Sequence, residues 1–151
     1  LAGHGVQADG LSRDDWLDLL MTHLLQPDFE RDVLRVIFDF PASQCALARV
    51  TGQGSDAVAE RYEIYLGSSE LANGYHELTD AAQQRARFEN DNRRRRARNQ
   101  RELPIDQRLL AALEAGLPEC AGVALGIDRL LMTMMDTEDI SDVLGFAFAH
   151  A

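Results

Sequence analysis

The sequence predicts an α+β fold in which an antiparallel sheet is flanked by helices. A β-branched and aromatic run at Val33–Phe40 and two runs that read as a hairpin, Ala59–Leu66 and Ser69–Ala72, gather ahead of the two longest helical stretches. Strands grouped in this way do not alternate with helices as parallel βαβ units do. Two of the runs are separated only by Gly67-Ser68, the spacing of a two-residue hairpin. At 151 residues and 46% hydrophobic composition, the chain is one domain's worth of sequence with enough apolar material for a core.

Taken in order, residues 1–11 are rich in glycine and polar side chains and read as a loop or frayed end. Ser12 and Asp15 form an N-cap and an acidic first turn, and Trp16, Leu20 and Leu24 give a helical stripe that ends before Pro27. Val33–Phe40 is a strand stopped by Pro41, and Gly52–Ser55 is a loop. Ala59–Leu66 and Ser69–Ala72 form a hairpin across a type II′ turn at Gly67-Ser68. Asp80 with Gln83 resembles a capping box opening a polar helix to about Asn99. A second helix, Ile105–Ala115, turns Ile105, Leu109, Leu110 and Leu113 inward and stops at Gly116 with Pro118 beyond. The strand Gly122–Gly126 then leads into a Leu/Met-rich helix, Ile127–Met135.

Composition narrows the function. A net charge of −10, from 25 acidic against 15 basic residues, argues against broad binding to nucleic acid or to membrane surfaces. Cys45 and Cys120 are too few for a disulfide framework or a zinc site. No apolar run approaches a membrane span and no signal peptide is visible, so a cytoplasmic setting is expected.

Two stretches carry chemistry. Glu63, Glu70 and Glu77 recur every seven residues, a spacing that alternates faces on one straight strand. A two-residue turn at Gly67-Ser68 pairs Tyr65 with Glu70 and puts Glu63 diagonal to Glu70 on the same face. A bulge or turn at Asn73-Gly74 would reverse the parity and return Glu77 to that face. Three crowded carboxylates repel unless a cation sits among them, and hard oxygen ligands suit Mg²⁺, which also bridges the phosphates of ATP. Downstream, Gly122, Ala124 and Gly126 fall on one side of a strand and leave it nearly bare, so that a flat ligand can lie on the backbone. Arg129 follows at the strand-to-helix junction, where its forked guanidinium can grip a phosphate.

The run Gly122-Val123-Ala124-Leu125-Gly126-Ile127-Asp128-Arg129-Leu130 resembles motif 3 of the class II aminoacyl-tRNA synthetases, which holds ATP. Glu60–Gly67 and Ser69–Leu78 resemble the active-site strands of the lysyl-tRNA synthetase group. Phe40-Pro41-Ala42-Ser43-Gln44, His76-Glu77-Leu78-Thr79-Asp80 and Pro104-Ile105-Asp106-Gln107 resemble a shortened branch of that group, the elongation factor P–(R)-β-lysine ligases, which modify a protein instead of a tRNA. The resemblance runs from about Asp32 to Ala151, with residues 1–31 a helical lead-in that matches loosely. It implies the C-terminal part of a class II catalytic domain, and a chain beginning at Leu1 is expected to be a fragment.

Carried over residue by residue, the resemblance implies that Glu63 and Glu70 hold Mg²⁺ with ATP, and that Leu71 and Gly126 border the nucleotide. Arg129 would meet its phosphates as the catalytic arginine. Asn73 would seat the amino acid and Glu77 would meet the distal ammonium of lysine or (R)-β-lysine. Ala124 departs from the glycine usual in lysyl-tRNA synthetases, and its methyl changes the pocket toward a lysine isomer. Elongation factor P is the implied acceptor, with tRNA the acceptor under the alternative of an ordinary lysyl-tRNA synthetase. A non-catalytic paralogue that binds ATP or an amino acid is the third reading. Motif 1, which builds a homodimer interface, and motif 2, whose Arg-x-Glu loop grips the α-phosphate, are not found; Arg31 and Arg61 lie near acidic residues but in the wrong surroundings. The chain alone is therefore expected to be close to inert.

Other features read as bland. Arg93–Arg96, with Arg98 and Arg101, suits a solvated helix end, with docking of an acidic protein the functional alternative. His76 reads as a packing or hydrogen-bonding residue, His4, His23 and His150 have no company suggesting metal, Met132, Met134 and Met135 are core or interface, and Trp16 anchors the first helix.

Overall fold

The computed structural model describes residues 10–147; the expectations for residues 1–9, His4 and His150 lie outside them. It is α+β. A five-stranded antiparallel sheet comprises β1 (Leu34–Pro41), β2 (Val50–Thr51), β3 (Val58–Leu66), β4 (Ser69–His76) and β5 (Ala121–Leu125). Its main path runs β1-β3-β4-β5, with the short β2, unforeseen in the sequence, pairing against β3. Helices α1 (Arg13–Leu20), α2 (Ala81–Ala97), α3 (Gln107–Gly116) and α4 (Ile127–Met135) complete the fold.

Capping chemistry sets the helix ends. Ser12 and Asp15 form a reciprocal capping box at the start of α1. The helical run does not end before Pro27. It continues through a π-helical turn (Met21–Leu25) and a 3₁₀ turn (Gln26–Asp28) that takes Pro27 near its start, where no amide donor is needed. Asp80 caps α2 by accepting from Gln83 N–H at 2.9 Å, but Gln83 spends its own side chain on Arg87, so the box is only half made. Helix α3 starts at Gln107 and not Ile105, because the Asp106 carboxylate accepts from the amides of Arg108 and Leu109 at 2.9 and 3.0 Å. Leu110 and Leu113 of α3 are buried, and Ala48, Ala59, Tyr65, Leu71, Ala72 and Leu78 supply the core of the sheet.

The hairpin between β3 and β4 turns at Gly67-Ser68 with φ +53° at Gly67, and Tyr65 pairs with Glu70 as the spacing requires. Strand β4 runs on to His76, past the expected end at Ala72. The bulge expected at Asn73-Gly74 lies elsewhere. Register jumps between Ile64↔Ala72 and Tyr65↔Glu70, which leaves Leu71 as the extra residue. Gly74 is ordinary strand, paired with Tyr62 and Val123. It is glycine because a Cβ there would lie 2.3 Å from the Tyr62 ring.

Candidate functional site

The Leu71 bulge decides which side chains share a face. Alternation along β3 places Arg61, Glu63 and Tyr65 together, and pairing adds Glu70, Asn73 and Tyr75 from β4 and Gly122 and Ala124 from β5. Glu77 joins them two residues beyond Tyr75, its carboxylate on the Gly122 face, where a Cβ would stand 2.4 Å from Oε1. The bare face at Gly122 thus makes room for Glu77 and not for a ligand lying on the backbone. Ala124 sits directly across from Asn73.

Although the three glutamates share this face, they do not crowd together. Among the described residues no group of three metal-ligating side chains converges. The cation beside Glu63 is Arg61, whose Nη2 is ion-paired to Oε1. Asn73 Nδ2 reaches the same oxygen at 3.3 Å, and the Tyr65 hydroxyl donates to Oε2 at 2.6 Å. Glu63 is 7% exposed, yet each of its two oxygens has a partner. Burial, then the hydrogen bond to the Glu63 carboxylate, push the Tyr65 phenol well above its ordinary range and keep it a donor. Burial, and next the charge of Glu63, also push the Glu70 carboxyl up, while Arg129 and Arg61 pull the other way.

Helix α4 is stitched onto the bulge. Gly126 N–H donates to the Leu71 carbonyl at 2.8 Å, and Arg129 Nη1 donates to the Glu70 carbonyl at 2.8 Å. Arg129 is exposed and its guanidinium makes no other hydrogen bond among the described residues, so the rest of its fork is available.

The lead-in helix belongs to the site as well, which its sequence did not indicate. A cavity of about 440 Å³ is walled by Leu20, Met21 and Leu25 on one side and by Arg61, Glu63 and Glu70 on the other. Phe29, just past the 3₁₀ turn of the lead-in, meets Tyr65 edge-on with ring centroids 5.6 Å apart. Arg61 and Tyr65 had a signal in the sequence, since residues 61, 63 and 65 alternate onto one side of a strand. The lead-in residues had none, because their contacts depend on tertiary packing.

On the opposite face, His76 places Nδ1 2.7 Å from Glu60 and Nε2 3.2 Å from Glu119, and Arg49 bridges the same two carboxylates. Hydrogen bonding, as its sequence suggested, is what His76 does. Cys45 and Cys120 are free. The arginine run lies at the end of α2, exposed except for the half-buried Arg95, with Arg98 near Asp15 at 3.4 Å and Arg96 near Glu102 at 3.3 Å. Arg31 is ion-paired to Asp136. No helix among the described residues is long and apolar enough to cross a membrane.

Known proteins share about half of their residues with this chain over most of its length. The chain is 50% identical over 139 residues to the elongation factor P–(R)-β-lysine ligase of Pectobacterium carotovorum subsp. carotovorum (strain PC1), covering 92% of this chain and 42% of that protein. It is 53% identical over 140 residues to the ligase of the same name from Proteus mirabilis (strain HI4320), covering 93% and 43%. With that of Klebsiella pneumoniae (strain 342) it shares 50% over 139 residues, covering 92% and 42%. The chain thus spans less than half the length of the curated relatives it matches. A family model described as tRNA synthetases class II (D, K and N) matches residues 18–150, nearly the whole chain, and on that match the chain belongs to this family.

Proposed function

We propose that the full-length protein carrying this chain activates a lysine isomer with ATP and joins it to a lysine side chain of elongation factor P. The observation that carries this reading is identity of about half the residues, over nine-tenths of the chain, to proteins named for that ligation. The reaction begins with attack of the amino-acid carboxylate on the α-phosphorus of ATP, a step driven by positioning and electrostatic stabilisation more than by covalent chemistry of the protein.

Each side chain has a part that its place on the sheet supports. Glu77, half-buried over Gly122, meets the distal ammonium of the amino acid, and Asn73 seats its other end. Arg129, held against the Glu70 carbonyl, directs its remaining donors at phosphate, with Leu71 and Gly126 bordering the nucleotide. The donor set fits Mg²⁺. Glu63 Oε2 accepts only from Tyr65 and keeps a second lone pair, and the Glu70 carboxylate accepts no hydrogen bond among the described residues. A metal held by Glu63 and Glu70 would supply neutralisation of phosphate charge.

The test is adenylate formation by the full-length protein with α-lysine and (R)-β-lysine side by side, followed by transfer to elongation factor P or to tRNA. Preference for (R)-β-lysine and transfer to the protein are expected. Preference for α-lysine with efficient tRNA charging would overturn the reading in favour of a lysyl-tRNA synthetase. In the same assay Ala124→Gly, which removes a methyl beside Asn73, is expected to move selection toward α-lysine by roughly 10- to 200-fold in relative kcat/KM. An unmoved ratio would take Ala124 out of the pocket.

A further inference from the structure

Arg61 lies between two side chains that the reading above assigns to the site, Asn73 to the amino acid and Glu63 to the metal, and its side chain is 17% exposed. Its Nη2 pairs with Glu63 Oε1, its Nε donates to Asn73 Oδ1 at 3.3 Å and its Nη1 donates to the Gln44 carbonyl at 3.1 Å. The guanidinium carbon stands 4.3 Å from the centre of the Phe40 ring. Three directions of the fork and one face of its plane are therefore fixed by protein.

A primary amide offers a donor at one end and an acceptor at the other, and nothing in its shape decides which end is which. A guanidinium only donates. With Arg61 against one end of the Asn73 amide, that end must be Oδ1, and Nδ2 is turned toward Glu63 at 3.3 Å. Tyr65 already holds the other oxygen of Glu63, so the ion pair alone does not account for the Nε contact with Asn73.

We infer that Arg61 is a positioning residue of the amino-acid site: it fixes which way the Asn73 amide faces and where the Glu63 carboxylate stands, without itself touching substrate. What the site binds rests on the ligase reading; the positioning is a property of three side chains in this chain. Although Arg61-Tyr62-Glu63 spells Arg-x-Glu, this arginine is turned onto its own glutamate and is not presented to a phosphate.

The test uses the full-length protein with Arg61→Gln and Arg61→Lys. The lysine variant keeps a charge for Glu63 but cannot span Asn73 and Gln44 at once, so it carries the test should the glutamine variant fail to fold. In pyrophosphate exchange, Arg61→Lys is expected to raise the amino-acid KM about tenfold or more while the ATP KM stays within about threefold. Its melting temperature should stay near that of wild type. A second readout, the assigned side-chain ¹⁵N–¹H pair of Asn73 in NMR spectra, should move toward the position of a free amide. A wild-type amino-acid KM in Arg61→Lys, or both KM values rising together with a fallen melting temperature, would overturn the inference. If wild type itself gives no exchange, the ligase reading fails and the Asn73 signal alone decides: displaced, it supports the positioning role; unmoved, it overturns it.

Discussion

Tyr62 and Gly74 are partners across β3 and β4, and the ring of one fills the space the other lacks. Gly74→Ala would put a methyl 2.3 Å from that ring, and neither strand backbone can retreat without disturbing the ladder. The expected cost is of order 1–3 kcal/mol from overpacking, read as a lowered thermal midpoint. A midpoint unchanged from wild type would mean that the ring moves freely. Arg129 makes the contrasting case, because the one hydrogen bond of its guanidinium among the described residues, to the Glu70 carbonyl, leaves most of its fork unused. Arg129→Lys keeps the charge but not the planar bidentate grip. Pyrophosphate exchange by the full-length protein, at saturating amino acid, should fall well beyond twofold, which is under ~0.5 kcal/mol of barrier. A rate within that margin would make Arg129 a structural tie between α4 and the bulge.

At the scale of elements, the register of one hairpin and the caps of the helices were legible because each rests on neighbours in sequence. Gly67-Ser68 names its turn, Ser12 and Asp15 name a helix start, and Gly116 names an end at φ +104°. Where reading failed, a competing local interaction had won: Asp106 capped α3 two residues late, and Pro27 was absorbed into a 3₁₀ turn. The displaced bulge is a different kind of miss. Glu77 was expected on the acidic face and is there, but the parity change comes from Leu71, whose carbonyl is claimed by Gly126 from far along the chain. The network Arg49–Glu60–His76–Glu119 ties β3, β4 and the approach to β5 in the same long-range way. The Arg49 hydrogen bonds hold the Glu60 carboxyl below the ordinary glutamate range. A depressed carboxylate stabilises the fold above its unfolded value, and the gain is lost as pH falls through the folded one. Melting of Glu60→Gln against wild type should therefore show a gap at neutral pH that closes below about pH 4. A gap independent of pH would show that the glutamate's shape matters and its charge does not.

At the scale of the whole molecule, the two faces of the sheet differ. One gathers Glu63, Glu70, Asn73 and Glu77, while the other leaves Phe38 67% and Val123 57% exposed. On the acidic face Arg61 is occupied by Glu63, while the Arg129 guanidinium keeps donors without a protein partner among the described residues. The 151-residue chain alone is accordingly expected to show no amino-acid-dependent pyrophosphate exchange, and robust exchange by the purified chain would overturn that view of its chemistry. The single extra residue at Leu71 also sets a counting rule. The step from Glu70 to Glu77 is odd in sequence and even in space, so the bulge works as a phase shift between letters and geometry. Were Leu71 drawn into the regular ladder with no residue lost, every glutamate would stay in the text while Asn73, Tyr75 and Glu77 went to the far side of the sheet from Glu70. A related sequence could then spell the whole acidic motif and still have no site.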